Sequence, residues 1–183
     1  MPVPVAIIIA IAAVFLAIVL GRQASAWWQY RGERVITCPE NQQPAGVTVD
    51  VRHAAASAAM GAPELRLSAC SRWPEKAGCG QPCLSQIAAA PEDCLVRNIL
   101  TRWYEGKVCA SCGRPFGALE WEVAKPALMP SSGVSVEWRQ VPAEKLQETL
   151  ATARPVCFAC HMASTMVREH PDLVVERPAP RPS

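Results

Sequence analysis

The sequence predicts an α+β fold in which a single N-terminal transmembrane helix precedes a small cysteine-rich domain of short hairpins and helices. Three observations predict it: an uncharged apolar run at the start, β-branched runs interleaved with segments of helical period, and nine cysteines in 183 residues. A net charge of only +2 excludes a partner held by bulk electrostatics, so no nucleic acid is expected. Once the apolar segment is set aside, the remainder has the size of one domain or two small ones.

From Val3 to Leu20 no charge interrupts the sequence. Roughly 18 residues at about 1.5 Å each make about 27 Å of helix, enough to cross a bilayer core. The rival is a secretory signal, because Ala24, Ser25 and Ala26 form an AxA-type site, but no Lys or Arg precedes Arg22 to supply a basic leader. Arg22, Arg31 and Arg34 all follow the span, which by the positive-inside rule places the bulk of the chain in the cytoplasm, single-pass in the cell membrane. Trp27, Trp28 and Tyr30 are expected at headgroup level, with core packing as the alternative. The expected layout is an anchor over 1–26, a cysteine-rich subdomain over 27–106, a second over 107–172 and a Pro-rich tail over 173–183.

After the anchor, "ERVITCPE" and "PAGVTVDV" flank the polar "NQQ" as a hairpin with Cys38 near its turn. "RHAAASAAMG" reads as a short helix closed by Gly61, and "ELRLSAC" as a strand ending at Cys70. A loop then leads past Cys79 to a short helix starting near Cys83. "PEDCLVRNILTRWYEGK" predicts a helix with Pro91 and two acids at its start, Gly106 at its end, and Leu95, Ile99 and Trp103 on the buried face. Two strands follow in "ALEWEVAKPALMPSSGVSVEWRQV", with Glu120 and Glu122 on one face of the first. "PAEKLQETLATA" is an amphipathic helix with Pro142 at its start, and "HMASTMVREH" is a last helix.

Two motifs carry chemistry. In "VCASCGRPFG", Cys109 and Cys112 precede Gly113, a CxxCG pattern that resembles a zinc-ribbon or rubredoxin-type knuckle. The resemblance implies a tight turn whose backbone N–H groups face thiolate sulfur, with glycine at positive φ. In "RPVCFACHMAS", Cys157, Cys160 and His161 spell CxxCH, which is similar to the haem-attachment motif of c-type cytochromes and also to half a zinc site. Paired with Cys109 and Cys112, Cys157 and Cys160 complete the tetrahedral four-thiolate set that Zn2+ takes. In a reducing cytoplasm such a cysteine-dense segment favours metal over disulfides. Covalent haem c on Cys157, Cys160 and His161 remains the alternative. His161 otherwise faces solvent or caps its helix, and His53 and His170 carry no assigned role.

Cys38, Cys70, Cys79 and Cys83 allow a second four-thiolate site, since Cys79 and Cys83 have ligand-like spacing and the other two lie at strand ends. Cys94, one turn into its helix, reads as a small buried hydrophobe. The spacings match neither ferredoxin pattern. No phosphate loop, HExxH or nucleophile elbow appears, so an enzyme is not expected. The reading is a zinc-ribbon-like, membrane-anchored metal-binding protein with one or two zinc ions, acting as a scaffold or interaction module for an unidentified protein partner. The alternatives are a membrane-tethered electron carrier and a dithiol oxidoreductase.

Overall fold

The computed structural model describes residues 3–76, 78–122 and 125–173. The expected tail over 173–183 falls almost wholly outside them. The order of elements mixes helices and small antiparallel sheets, and the chain divides into two compact units, Met1–Leu100 and Thr101–Ser183.

The first unit opens with α1, Val3–Tyr30, a helix of 28 residues. At 1.5 Å per residue it is about 42 Å long, longer than the hydrocarbon core of a bilayer. Among the described residues it is the one helix long and apolar enough to cross a membrane. Ile7, Ile8, Ile11 and Phe15 lie exposed along its first half, as a lipid-facing surface requires. Its last turns do something else. Ala26 and Tyr30 are buried in the core of the unit, so Tyr30 is a packing residue instead of a headgroup anchor, whereas Trp27 and Trp28 stay exposed.

The hairpin expected next is present as β1, Glu33–Thr37, and β2, Pro44–Val49, in antiparallel register from Glu33 opposite Thr48 to Thr37 opposite Pro44. Strand β3, Leu67–Cys70, adds on the other side of β2 to give the order β1-β2-β3. Helix α2, Val51–Ala58, is capped by Asp50, whose carboxylate accepts the His53 N–H at 3.0 Å, and it packs along α1, where Arg22 Nη2 donates to the Gly61 carbonyl at 2.5 Å. Helix α3, Leu84–Ala89, buries Ile87 in the same core.

Helix α4, Val96–Tyr104, starts five residues later than Pro91 suggested. Residues 91–94 form turns that Asn98 closes by donating to the Glu92 carbonyl at 3.0 Å and to its carboxylate at 2.7 Å. Cys94 therefore precedes the helix instead of sitting one turn inside it. Half-buried, it packs against the core of the first unit. The fully buried side chains of α4 are Val96, Leu100 and Tyr104, one residue round from the expected Leu95, Ile99 and Trp103, which are half-buried. The polar tip of Tyr104 sets this rotation, because its hydroxyl donates to the Ala127 carbonyl at 2.5 Å inside the second unit.

In the second unit, β4, Ala127–Met129, lies between β5, Val136–Glu137, and β6, Arg154–Val156, all antiparallel. Glu120 and Glu122 do not share a strand face: neither lies in a strand, and Glu122 stands in a bend ahead of β4. Strand β6 is short and carries Pro155, which its edge position tolerates because the missing N–H breaks no ladder bond on the open side. After a single 3-10 turn at Ala143–Lys145, α5, Leu146–Thr152, leads into β6, and α6, Phe158–Glu169, follows at once.

Candidate metal centre

Two short pieces of backbone build the site. The first is a tight turn between Val108 and Pro115, which bridge to each other. Cys109 N–H donates to the Arg114 carbonyl at 2.8 Å, and Gly113 N–H returns to the Cys109 carbonyl at 2.9 Å. Gly113 has φ +71, and a Cβ there would meet nothing within 4 Å. Glycine is favoured by the left-handed backbone, not by lack of space.

The second piece is the junction of β6 and α6. Cys157 is the N-cap of α6 in an extended conformation, with φ −73 and ψ 156, and Cys160 stands in the first turn. His161 N–H donates to the Cys157 carbonyl at 3.0 Å, which starts the helix. The two pieces are joined by backbone: Ala110 N–H donates to the Pro155 carbonyl at 2.8 Å, and Cys157 N–H points at Cys109 Sγ, 3.3 Å away.

The result is a cluster in which the sulfur atoms of Cys109, Cys112, Cys157 and Cys160 all lie within 4.8 Å of one another. Cys112 Sγ and Cys157 Sγ are 3.8 Å apart. A tetrahedron with zinc–sulfur legs of about 2.3 Å has edges of about 3.8 Å, so this pair is spaced as two ligands of one ion. Cys109 is buried and packs with Ala127 and Val156, while Cys112 is exposed.

The electrostatics are those of crowded sulfur. Burial raises the Cys109 thiol, but the N–H groups of Cys157, Cys112 and Ser111 outweigh it and bring the thiol down to about 6. Cys160 is pushed up to about 12, chiefly by sharing hydrogen bonds with the Cys157 and Cys112 thiols, with burial adding to it. Four thiols in this space compete for the same protons. A divalent cation relieves that competition, because it stabilises four thiolates together.

His161 is neither solvent-facing nor a helix cap. It is buried, with Nδ1 2.9 Å from Ser135 Oγ, which in turn lies 2.9 Å from Ser164 Oγ. This polar triad was not legible in the sequence, because Ser135 stands 26 residues from His161 and no short-range motif joins them. His53 donates its backbone N–H to Asp50 and sits 3.5 Å from the Glu64 carboxylate, and His170 caps the end of α6.

Cys38, Cys70, Cys79 and Cys83 do not form a tight cluster of this kind; they line one pocket of the first unit together. Cys38 Sγ accepts from Arg72 Nη1 at 2.8 Å. Burial pushes the Cys83 thiol up, and its neighbours Cys70 and Cys79 add to the effect. Cys94 takes no part in either group and donates its thiol to the Pro91 carbonyl at 3.5 Å. No family model, curated protein or solved structure significantly matches the chain.

Proposed function

We propose that Cys109, Cys112, Cys157 and Cys160 bind a structural Zn2+ ion, and that the protein is a zinc-stapled scaffold or interaction module held at the membrane by α1. The carrying observation is the convergence of the four sulfur atoms within 4.8 Å. A closed set of four thiolates leaves no open coordination position, which is the pattern of structural and not catalytic zinc. The unit that holds it has a small core, with short strands of two or three residues. Metal binding supplies folding free energy where buried apolar area is scarce.

Two other chemistries use the same thiols. Covalent haem needs Cys157 and Cys160 to face a porphyrin, and their approach to Cys112 and Cys109 supports an ion instead. A dithiol oxidoreductase needs an accessible thiol of low pKa as nucleophile. The lowered thiol here is Cys109, which is 1% exposed, while Cys112 is the exposed one. That order suits a ligand better than a redox nucleophile. Arg22, Arg31 and Arg34 after the apolar run support a cytoplasmic location for the globular part, where thiols stay reduced.

Metal analysis and an absorption spectrum of the protein purified in detergent test the reading. The expected preparation is colourless, contains zinc, and loses amide protection across β4–β6 when a strong chelator is added. A red preparation whose Soret band survives acid-acetone extraction would establish covalent haem and end the zinc reading.

A further inference from the structure

The turn after β1 is built like the knuckle at Cys109. Cys38 N–H donates to the Gln43 carbonyl at 2.8 Å, and Gln42 N–H returns to the Cys38 carbonyl at 2.8 Å. These are the same two bonds, at the same offsets, that Cys109 makes with Arg114 and Gly113. The fourth residue after the cysteine is left-handed in both: Gln42 has φ 57 and Gly113 has φ 71. In both turns the N–H groups two and three residues on, Glu40 and Asn41 here, Ser111 and Cys112 there, point at the cysteine sulfur. The match is invisible in sequence, because Asn41 stands where a CxxC would have its second cysteine and Gln42 stands where glycine is expected.

Three further cysteines surround this turn. Cys70 ends β3, Cys83 is the N-cap residue of α3, and Cys79 lies on the loop between, with the Gln81 N–H 3.3 Å from its sulfur. The loop is held in place by Leu67 N–H, which donates to Gln81 Oε1 at 2.8 Å. All four cysteines line a single cavity of about 20 Å3, which suits one water-sized occupant. Arg72 stands over the cavity with Nη1 2.8 Å from Cys38 Sγ, and Lys76 is held 3.2 Å from Glu40 at its rim.

We propose that Cys38, Cys70, Cys79 and Cys83 form a second four-thiolate site for a thiophilic divalent cation, zinc above others, built on a knuckle at Cys38 and stabilised by the Arg72 guanidinium. Four thiolates and one divalent ion leave two excess negative charges. A guanidinium hydrogen-bonded to one sulfur offsets one of them, in the manner of an outer-shell partner that orients a ligand and tunes the metal. The ion ties the hairpin, the end of β3 and the loop before α3 to one point. This site does not depend on the cluster at Cys109, because each lies wholly within its own unit.

The test measures zinc per chain by mass spectrometry of the full-length protein in detergent micelles, purified under reducing conditions. Wild type is expected to carry two zinc ions, and both the Cys38→Ser/Cys83→Ser and the Cys109→Ser/Cys160→Ser variants to carry one. One zinc in wild type that disappears in the Cys109→Ser/Cys160→Ser variant overturns the second site. Zinc that falls only in the Cys38→Ser/Cys83→Ser variant supports it and overturns the first. Alkylation mapping of wild type keeps the test independent of whether the variants fold: Cys38, Cys70, Cys79 and Cys83 should resist iodoacetamide until a chelator is added. Disulfides among these four in non-reduced peptides, or alkylation that a chelator does not change, overturn the proposal. Arg72→Met is expected to weaken zinc binding about ten- to a hundredfold with both sites still filled at saturation; unchanged affinity overturns the role given to Arg72.

Discussion

Arg34 is the second residue of β1 and has no exposed surface, which its charge alone would forbid. Its guanidinium donates to the carbonyls of Gln29 at 2.6 Å and Tyr30 at 2.6 Å, orphan acceptors at the end of α1, and to that of Gly32 at 3.0 Å just beyond it. A cation at a helix C-terminus also meets the negative end of the helix dipole. Burial lowers the pKa of Arg34, but a guanidinium remains charged in any protein. Arg34→Met should therefore leave several buried carbonyls unpaired and cost about 2 to 4 kcal/mol, measured as faster amide exchange across β1 and β2. At Gly113 the same scale of reasoning gives a smaller effect. Gly113→Ala places a Cβ on a left-handed backbone at about 1 to 2 kcal/mol, and zinc binding at the Cys109 cluster should weaken about tenfold, read by competition with a chromogenic chelator.

Among the elements, α1 divides into two parts along its length. Residues 4–18 and Leu20 are exposed and apolar, whereas Ala26 and Tyr30 belong to the core of the first unit. Deleting residues 1–20 should release a soluble protein with both units folded. Deleting residues 1–30 should give one whose first unit aggregates, and size-exclusion chromatography with circular dichroism separates the two outcomes. In the second unit, α4 is joined to β4 by the Tyr104 hydroxyl and to α5 by Trp103 Nε1, which donates to the Leu150 carbonyl at 3.1 Å. Tyr104→Phe leaves the buried Ala127 carbonyl without this donor and should cost about 1 to 2 kcal/mol in urea denaturation of the second unit.

For the molecule as a whole, each compact unit contains a cysteine-bearing knuckle turn, one at Cys38 and one at Cys109, on a three-stranded antiparallel sheet. The strands of the second unit are only two or three residues long, so a cross-link between its loops would add to a small core. The two metal ions proposed for these units would make the stability of the chain a function of free zinc. Thermal unfolding of the detergent-solubilised protein should shift upward with added zinc and collapse on chelation, by mass action on the folded state.

Local physics was enough to specify much of this. The unbroken apolar run, the β-branched pair around Cys38, the Ala-rich α2 and the CxxC pairs are short-range patterns, and the helix, hairpin and four-cysteine cluster follow them. Tertiary structure decided what local pattern leaves degenerate. It turned α4 by one residue, because the Tyr104 hydroxyl needed a buried acceptor on β4. It drew Arg34 and Tyr30 into the core, because the end of α1 had carbonyls to satisfy, and it joined His161 and Ser164 of α6 to Ser135, 26 residues upstream of His161. A knuckle at Cys38 emerged only from backbone angles, since a left-handed glutamine has no mark in the sequence. Such choices depend on which polar groups lose water together, and that is settled by packing between distant segments.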